Sequence, residues 1–119
     1  MKYRTFGTTA EQVSCLCLGT MMFGGQTTEQ ASIQIMHRAH DQGINFFDTA
    51  NIYNAGESEV VVGKAIADRR DKIVLATKGR LPIGEGPNDA GGGRLNMMRA
   101  VDESLRRLKT DHIDLYYIH

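Results

Sequence analysis

Short apolar runs alternate along this chain with longer stretches whose apolar residues recur every three or four positions. Four runs of strand length begin near residues 15, 44, 73 and 113. Before them, residues 3–6 and 11–14 flank a Gly-Thr-Thr-Ala turn, which predicts a β-hairpin. The pattern therefore predicts a hairpin followed by alternating strands and helices.

The three stretches between these runs carry helix signals. The first has a capping-box pattern at Thr27 and Gln30, apolar residues spaced by four, and a glycine stop at Gly43. The second begins with the acidic turn of residues 56–59, which complements a helix dipole. The third carries an apolar stripe over residues 98–108. We predict one helix in each stretch.

Regular alternation of strand and helix predicts a parallel sheet with right-handed crossover connections. The first two strand-to-strand intervals are both about 29 residues, the size of one strand–helix unit. The third interval is longer because it contains a Gly-rich loop over residues 79–93. Two architectures fit this order: a doubly wound sheet and part of a (β/α)8 barrel.

The charge and hydropathy of the chain exclude several classes of partner. Its 119 residues include 14 Lys and Arg and 14 Asp and Glu, so the formal charge is zero. A balanced charge gives no reason to expect nucleic acid or an anionic membrane as a partner. No apolar run approaches the roughly 20 residues that span a bilayer, and the first residues contain no signal-peptide core.

Both cysteines fall in the first apolar run. We interpret residues 15–19 as a strand buried on both faces, with Cys15 and Cys17 as small buried side chains. Cysteines so close in one strand rarely form a disulfide, and no further Cys or paired His completes a metal site. The prediction is a cytoplasmic protein with reduced thiols and no bound metal.

Ionisable residues follow the predicted strands at one end. Asp48, Lys78 and His119 each end a strand, and Tyr53 lies five residues after Asp48. Ligands of parallel α/β folds bind at the carboxyl ends of the strands, so we expect these four side chains to meet at one rim. The alternative interpretation is four ordinary surface or loop residues, with His119 at a frayed terminus.

Such a set of side chains is suited to proton donation. The pKa of a free tyrosine is about 10, too high for easy proton transfer at neutral pH. A neighbouring lysine ammonium favours the phenolate, and an aspartate holds that lysine in its charged form. A histidine can orient a carbonyl oxygen. Together with a hydride from a reduced cofactor, these groups could complete a carbonyl reduction.

Six segments, in this order, resemble the N-terminal half of an aldo-keto reductase. They are residues 18–21, 43–53, 56–59, 76–78, 104–108 and 111–119. The resemblance covers essentially the whole chain. It implies an α/β fold of the parallel (β/α)8 TIM-barrel type. Residues 1–119 would then be an N-terminal half barrel with four strands and three helices after a short hairpin.

The resemblance also implies an activity, the NADPH-dependent reduction of aldehydes or ketones to alcohols. By position, Tyr53 corresponds to the proton donor of the family. Lys78 and Asp48 correspond to the ion pair that tunes this donor, and His119 to the residue that orients the substrate carbonyl. The expected partner is a small carbonyl compound.

The same resemblance assigns cofactor contacts to Gly19, Thr20, Met21 and Asp48, around the nicotinamide end. A complete barrel of this type needs about 200–250 residues, and the family's contacts with the cofactor phosphates lie in its second half. We therefore expect residues 1–119 to form part of one barrel domain. We also expect this chain alone to bind NADPH weakly and to be inactive.

A second hypothesis keeps the fold but not the catalysis. In it the chain is a binding or regulatory module, like the channel-associated subunits of the same family. The presence of all four polar positions favours the enzyme. The shortage of cofactor contacts favours the module for this chain by itself.

Overall fold

The computed structural model describes all residues from 1 to 119. The six strands are β1 (Tyr3–Thr5), β2 (Gln12–Ser14), β3 (Leu18–Gly19), β4 (Phe46–Asp48), β5 (Val74–Gly79) and β6 (Leu115–Ile118). The three α-helices are α1 (Glu29–Asp41), α2 (Glu57–Ile66) and α3 (Arg94–Leu108). Short 3₁₀ helices cover Tyr53–Gly56 and Arg70–Lys72.

The strands form two sheets. β1 and β2 pair antiparallel, with Tyr3 opposite Ser14, so the predicted hairpin is confirmed. The other four strands are parallel and lie in the order β3-β4-β5-β6. α1 packs on α2 and α2 on α3, in one continuous layer. A doubly wound sheet would reverse its strand order at a switch point, so this uninterrupted order is that of a barrel segment.

The core lies between the sheet and the helix layer. Phe47 of β4 and Leu75 of β5 are paired in register and are 1% and 0% exposed. Burial of each such side chain contributes about 1.5–3 kcal/mol. The same cluster is completed by Phe23, Met36, Val61, Val62, Ala65, Ile66, Ile73 and Leu108.

One charged side chain is fully buried within this layer. Glu59 of α2 is 0% exposed and accepts hydrogen bonds from Thr77 Oγ1 at 2.6 Å and Arg107 Nε at 2.7 Å. A buried carboxylate is stable only with such partners. Glu59 therefore joins α2 to β5 and α3, and it fixes the helix layer against the strand that carries Lys78.

The edge of the sheet corrects one prediction. β3 contains only Leu18 and Gly19, so the strand predicted over residues 15–19 and buried on both faces is wrong. Cys15 and Cys17 are exposed free thiols rather than buried side chains. The physical reason is that β3 lies at the edge of the sheet and pairs with β4 alone, so Cys15 and Cys17, which precede it, are not enclosed between two neighbouring strands.

One helix boundary also differs from the prediction. The N-cap of α1 is Thr28 rather than Thr27, because Thr28 Oγ1 accepts the Ala31 N–H at 3.3 Å. α3 begins at Arg94, directly after the predicted loop over residues 79–93. None of the helices is long and apolar enough to cross a membrane.

Candidate active site

The carboxyl ends of the two central strands bring an aspartate and a lysine together. Asp48 is the last residue of β4, and Lys78 lies near the end of β5. Lys78 Nζ lies 2.6 Å from Asp48 Oδ2 and donates a second hydrogen bond to the Thr49 carbonyl at 2.8 Å. The side chain of Lys78 is 14% exposed and that of Asp48 is 24% exposed. The ammonium is therefore mostly shielded from water and is held in one place by two oxygen acceptors.

Tyr53 reaches the same lysine from the loop after β4. It starts the 3₁₀ helix Tyr53–Gly56, where its N–H donates to the Ala50 carbonyl at 3.2 Å. Its hydroxyl oxygen lies 3.2 Å from Lys78 Nζ, at hydrogen-bond distance. The ammonium also lies 4.9 Å from the centroid of the Tyr53 ring. Lys78 therefore contacts both the aspartate and the phenol.

His119 completes the set from the end of β6. Its N–H donates to the Gly79 carbonyl at 2.8 Å, which extends the pairing of β6 with β5 by one residue. Its ring meets the Tyr53 ring edge to face, with centroids 5.8 Å apart. The structure thus brings together all four side chains that the sequence singles out, at the carboxyl end of the sheet.

The surroundings of His119 favour a neutral imidazole. Burial and the nearby Lys78 ammonium lower the pKa of His119 below its ordinary value, and the Asp48 charge opposes this shift only in part. Nδ1 is buried and has no hydrogen-bond partner. A neutral imidazole carries one N–H donor and one acceptor, so His119 can donate one hydrogen bond to an oxygen placed at the rim.

The three predicted cofactor residues at the end of β3, Gly19, Thr20 and Met21, differ in how far they are exposed. Met21 is 57% exposed, and a Cβ built at Gly19 would meet nothing within 4 Å, so both leave the rim open to a flat ligand. Thr20 is 0% exposed, and its Oγ1 donates to the Asp48 carbonyl at 3.0 Å. Thr20 therefore supports the rim from beneath, with its side chain directed into the protein.

A network of buried hydroxyl groups joins this edge to the centre of the sheet. Ser58, in the first turn of α2, has its Oγ 2.9 Å from both Thr20 Oγ1 and Thr49 Oγ1. It also donates to the Thr20 carbonyl at 2.8 Å. All three hydroxyls are buried, and Thr49 is the residue whose carbonyl holds Lys78. The first turn of α2 thus fixes the residues that carry the ion pair.

Sequence reasoning missed several residues around this rim. Ser58 lies in the segment 56–59, but its sequence context predicts no separate role for it in the site. The same holds for Tyr117, whose ring centroid lies 5.9 Å from Lys78 Nζ. Asn54, next to Tyr53, donates hydrogen bonds to two carbonyls of the loop after β3. The Asn and Gly of the Asn-Ala-Gly sequence directly after Tyr53 are the available signal, because these two residue types favour turns.

The site is an open rim rather than an enclosed cavity. None of the five surface clefts of the chain is lined by any of the four predicted catalytic side chains. No three His, Cys, Asp or Glu side chains lie close enough to hold a metal ion. The chemistry that this rim offers is an ammonium, a carboxylate, a phenol and an imidazole in mutual contact.

Comparison with known proteins decides the family. The sequence model of the aldo/keto reductase family matches residues 15–119, which is most of the chain. The chain belongs to the aldo/keto reductase family. The resemblance seen in the sequence is thereby confirmed, and so is the TIM-barrel fold class. Membership of this family supports oxidoreductase chemistry in general.

Individual family members match over the whole chain. The uncharacterized oxidoreductase YrpG of Bacillus subtilis is 50% identical over an alignment 130 residues long, gaps included. The alignment covers 100% of this chain and 40% of that protein. The aldo-keto reductase YhdN of the same organism is 40% identical and is covered over 38% of its length. The solved holo form of aldo-keto reductase AKR11C1 from Bacillus halodurans superposes with a TM-score of 0.87. It is 42% identical, and the match covers 100% of this chain and 40% of that one.

These matches also show what share of its relatives' length this chain covers. The chain spans about two fifths of the length of the relatives it matches. The described residues contain one parallel sheet of four strands with its helix layer and the N-terminal hairpin. They include every residue of the rim described above.

Proposed function

We propose that this chain supplies the proton-donating site of an NADPH-dependent reductase that converts aldehydes or ketones to alcohols. The observation that supports this proposal is the contact of Lys78 Nζ with both Asp48 Oδ2 and the Tyr53 hydroxyl, at 2.6 Å and 3.2 Å. When bound, the reduced nicotinamide supplies a hydride to the carbonyl carbon. The residues of this chain then supply the proton and the charge stabilisation.

In this proposal Tyr53 is the proton donor. As the carbonyl carbon accepts the hydride pair, its oxygen becomes basic and takes the proton from the Tyr53 hydroxyl, which gives the alcohol. The negative charge left on the phenolate faces the Lys78 ammonium, which Asp48 and the Thr49 carbonyl keep in position. A fixed cation beside a developing anion lowers the barrier because it need not reorganise during the reaction.

His119 has the role of orienting the substrate. Its ring packs against the Tyr53 ring with the centroids 5.8 Å apart, so we propose that an oxygen bound by the phenol is also within reach of the imidazole. With a lowered pKa, His119 is neutral at pH 7 and can donate to that oxygen without competing for the proton. Two donors then converge on one carbonyl oxygen.

The residues present fit the nicotinamide end of the cofactor. Gly19 has open space where a side chain would stand, and Met21 is exposed beside it. A flat ring can therefore approach the end of β3 next to Asp48, which is paired with Gly19 in register. We propose that Gly19 and Met21 contact the cofactor directly, with Thr20 beneath them.

The test uses a hybrid in which this chain is followed by the remainder of the Bacillus subtilis relative YrpG. Tyr53→Phe should lower kcat for aldehyde reduction by about 10²–10⁴-fold, the usual contribution of a general acid. Binding of NADPH, followed by its fluorescence, should change little because the ring is kept. Tyr3→Phe is the matched control. Tyr3 lies in the hairpin, and its hydroxyl bonds only the Gly43 carbonyl, just after α1.

Other outcomes of this experiment would contradict the proposal. Full activity of the Tyr53→Phe hybrid would remove Tyr53 as the proton donor. A hybrid that binds NADPH but reduces no aldehyde or ketone would favour the non-catalytic module. For residues 1–119 alone we propose weak NADPH binding and no turnover. Micromolar binding with turnover would show that the rim is sufficient without further cofactor contacts.

A further inference from the structure

The backbone directly after Tyr53 adopts a conformation that most residues avoid. Asn54 and Ala55 have φ angles of 49° and 54°, and Gly56 has 96°. Three consecutive residues are therefore left-handed, and only Gly adopts this region freely, with Asn the best tolerated of the others. Unfavourable backbone conformations persist where the surrounding contacts fix them, and they cluster at functional sites.

The side chain of Asn54 supplies such a contact. Its Nδ2 donates to the carbonyls of Met21 and Phe23, each at 2.9 Å, so both hydrogens of the amide are used. A Cβ at Gly25 would clash with Asn54 Oδ1, so the loop packs directly against the amide. One side chain thereby joins the turn that carries Tyr53 to the loop that follows β3.

Two side chains of this loop are buried, Thr20 beneath the rim and Phe23 in the core, but the loop has few other attachments to the turn that carries Tyr53. β3 ends at Gly19, and both Met21 and Met22 are exposed. Within the loop, the Phe23 N–H bonds the Thr20 carbonyl at 3.0 Å and the Thr27 N–H bonds the Met22 carbonyl at 3.0 Å. These bonds shape the loop but do not tie it to the Tyr53 turn. Asn54 does so by bonding the Met21 carbonyl itself.

We propose that Asn54 is a positioning residue that sets the distance between the Tyr53 phenol and the cofactor-contacting residue Met21. This inference rests on the proposed function, since it concerns the relative placement of proton donor and hydride donor. Lys78 fixes the Tyr53 hydroxyl from one side. Asn54 fixes the backbone on the other side, and its two hydrogen bonds hold the loop after β3 in place relative to Tyr53.

Two variants separate the backbone conformation of Asn54 from its hydrogen bonds. Asn54→Gly keeps the left-handed conformation but removes the amide. Asn54→Asp keeps the shape but places a carboxylate oxygen against two carbonyl oxygens. Ala55→Gly is the matched control, because it relieves the neighbouring left-handed position and leaves both hydrogen bonds intact. A purely conformational role predicts that Asn54→Gly behaves like Ala55→Gly.

The first measurement is amide hydrogen exchange of the 119-residue chain. We expect Asn54→Gly and Asn54→Asp to speed exchange of the Phe23 and Thr27 amides by about five- to tenfold, the effect of losing a modest hydrogen bond. Amides of β4 and β5 should keep their rates in both variants, and Ala55→Gly should change neither set. Unaltered exchange at Phe23 and Thr27 in both Asn54 variants would overturn the proposal.

The second measurement is steady-state kinetics of the YrpG hybrid. A displacement of about 1 Å between reacting groups can cost roughly 100-fold, so we expect Asn54→Gly to lower kcat by about 10- to 100-fold. Its melting temperature should not fall, since glycine suits the left-handed position. Normal kcat in Asn54→Gly would overturn the positioning role. An inactive unsubstituted hybrid would instead count against the proposed function, and the exchange rates alone would then decide the role of Asn54.

Discussion

β4 and β5 lie in the middle of the parallel sheet, whereas β3 lies at its edge with a neighbour on one side only. The central strands that carry Asp48 and Lys78 are fixed by packing, because Phe47 and Leu75 of the same strands are almost completely buried against the helix layer. The edge strand is two residues long and is flanked by exposed side chains such as Leu16 and Met21. Its functional residues are held by side-chain hydrogen bonds from Ser58 and Asn54 instead.

This difference indicates that the central and the edge residues of the rim are held in place by different interactions. The ion pair and the phenol need a fixed geometry before any ligand arrives, and dense packing provides it. Gly19, Thr20 and Met21 lie at the proposed cofactor position and are held through a few polar contacts, while Phe23, further along the loop, packs in the core. Substitutions at the centre should therefore change stability, and substitutions at the edge should change the geometry of the site.

The largest expected effect concerns packing. Leu75→Ala should lower the free energy of unfolding by about 2–5 kcal/mol, because it leaves a cavity between β5 and the helix layer. Leu16→Ala, at a residue that is 59% exposed, should change it by less than about 0.5 kcal/mol. Urea denaturation of the two variants measures both values. Equal losses would show that centre and edge are packed alike.

Much of the centre could be predicted from the sequence. Asp48, Lys78 and His119 each follow an apolar run, so their place at the strand ends depends only on finding the runs. The edge could not be predicted in the same way. Whether Cys15 and Cys17 are buried depends on which strands stand beside them, and an apolar run does not contain that information. The Asn-Ala-Gly sequence indicates a turn after Tyr53, but the loop that this turn contacts lies about 30 residues away in sequence, and no local pattern identifies that partner.

A smaller effect should be visible at the Cys17 thiol, which connects the edge to the central charges. Although Cys17 is exposed as a residue, partial desolvation of its thiol and the Asp48 charge raise its pKa to about 11, with Lys78 acting in the opposite direction. Relative to an ordinary value of 9.0, this shift predicts alkylation about 100-fold slower at pH 8 in the folded chain than in urea. Iodoacetamide labelling in a Cys15→Ser background, followed by mass spectrometry, measures the ratio.

The same labelling tests the sign of each charge. Asp48→Asn removes a negative charge that opposes the thiolate, so it should lower the Cys17 pKa and speed labelling. Lys78→Met removes a positive charge that favours the thiolate, so it should slow labelling. If both variants shift the rate in the same direction, Cys17 is responding to a loosened edge rather than to the ion pair.

The most direct test of the shared rim is an NMR titration of the His119 imidazole in the 119-residue chain, assigned with a His119→Asn variant. Desolvation and the Lys78 ammonium both disfavour protonation, so His119 should titrate below the ordinary value of 6.5. Lys78→Met removes the positive charge and should therefore move the midpoint of this titration upward. If that midpoint lies at 6.5 and does not respond to Lys78→Met, the lysine and the imidazole do not share one site.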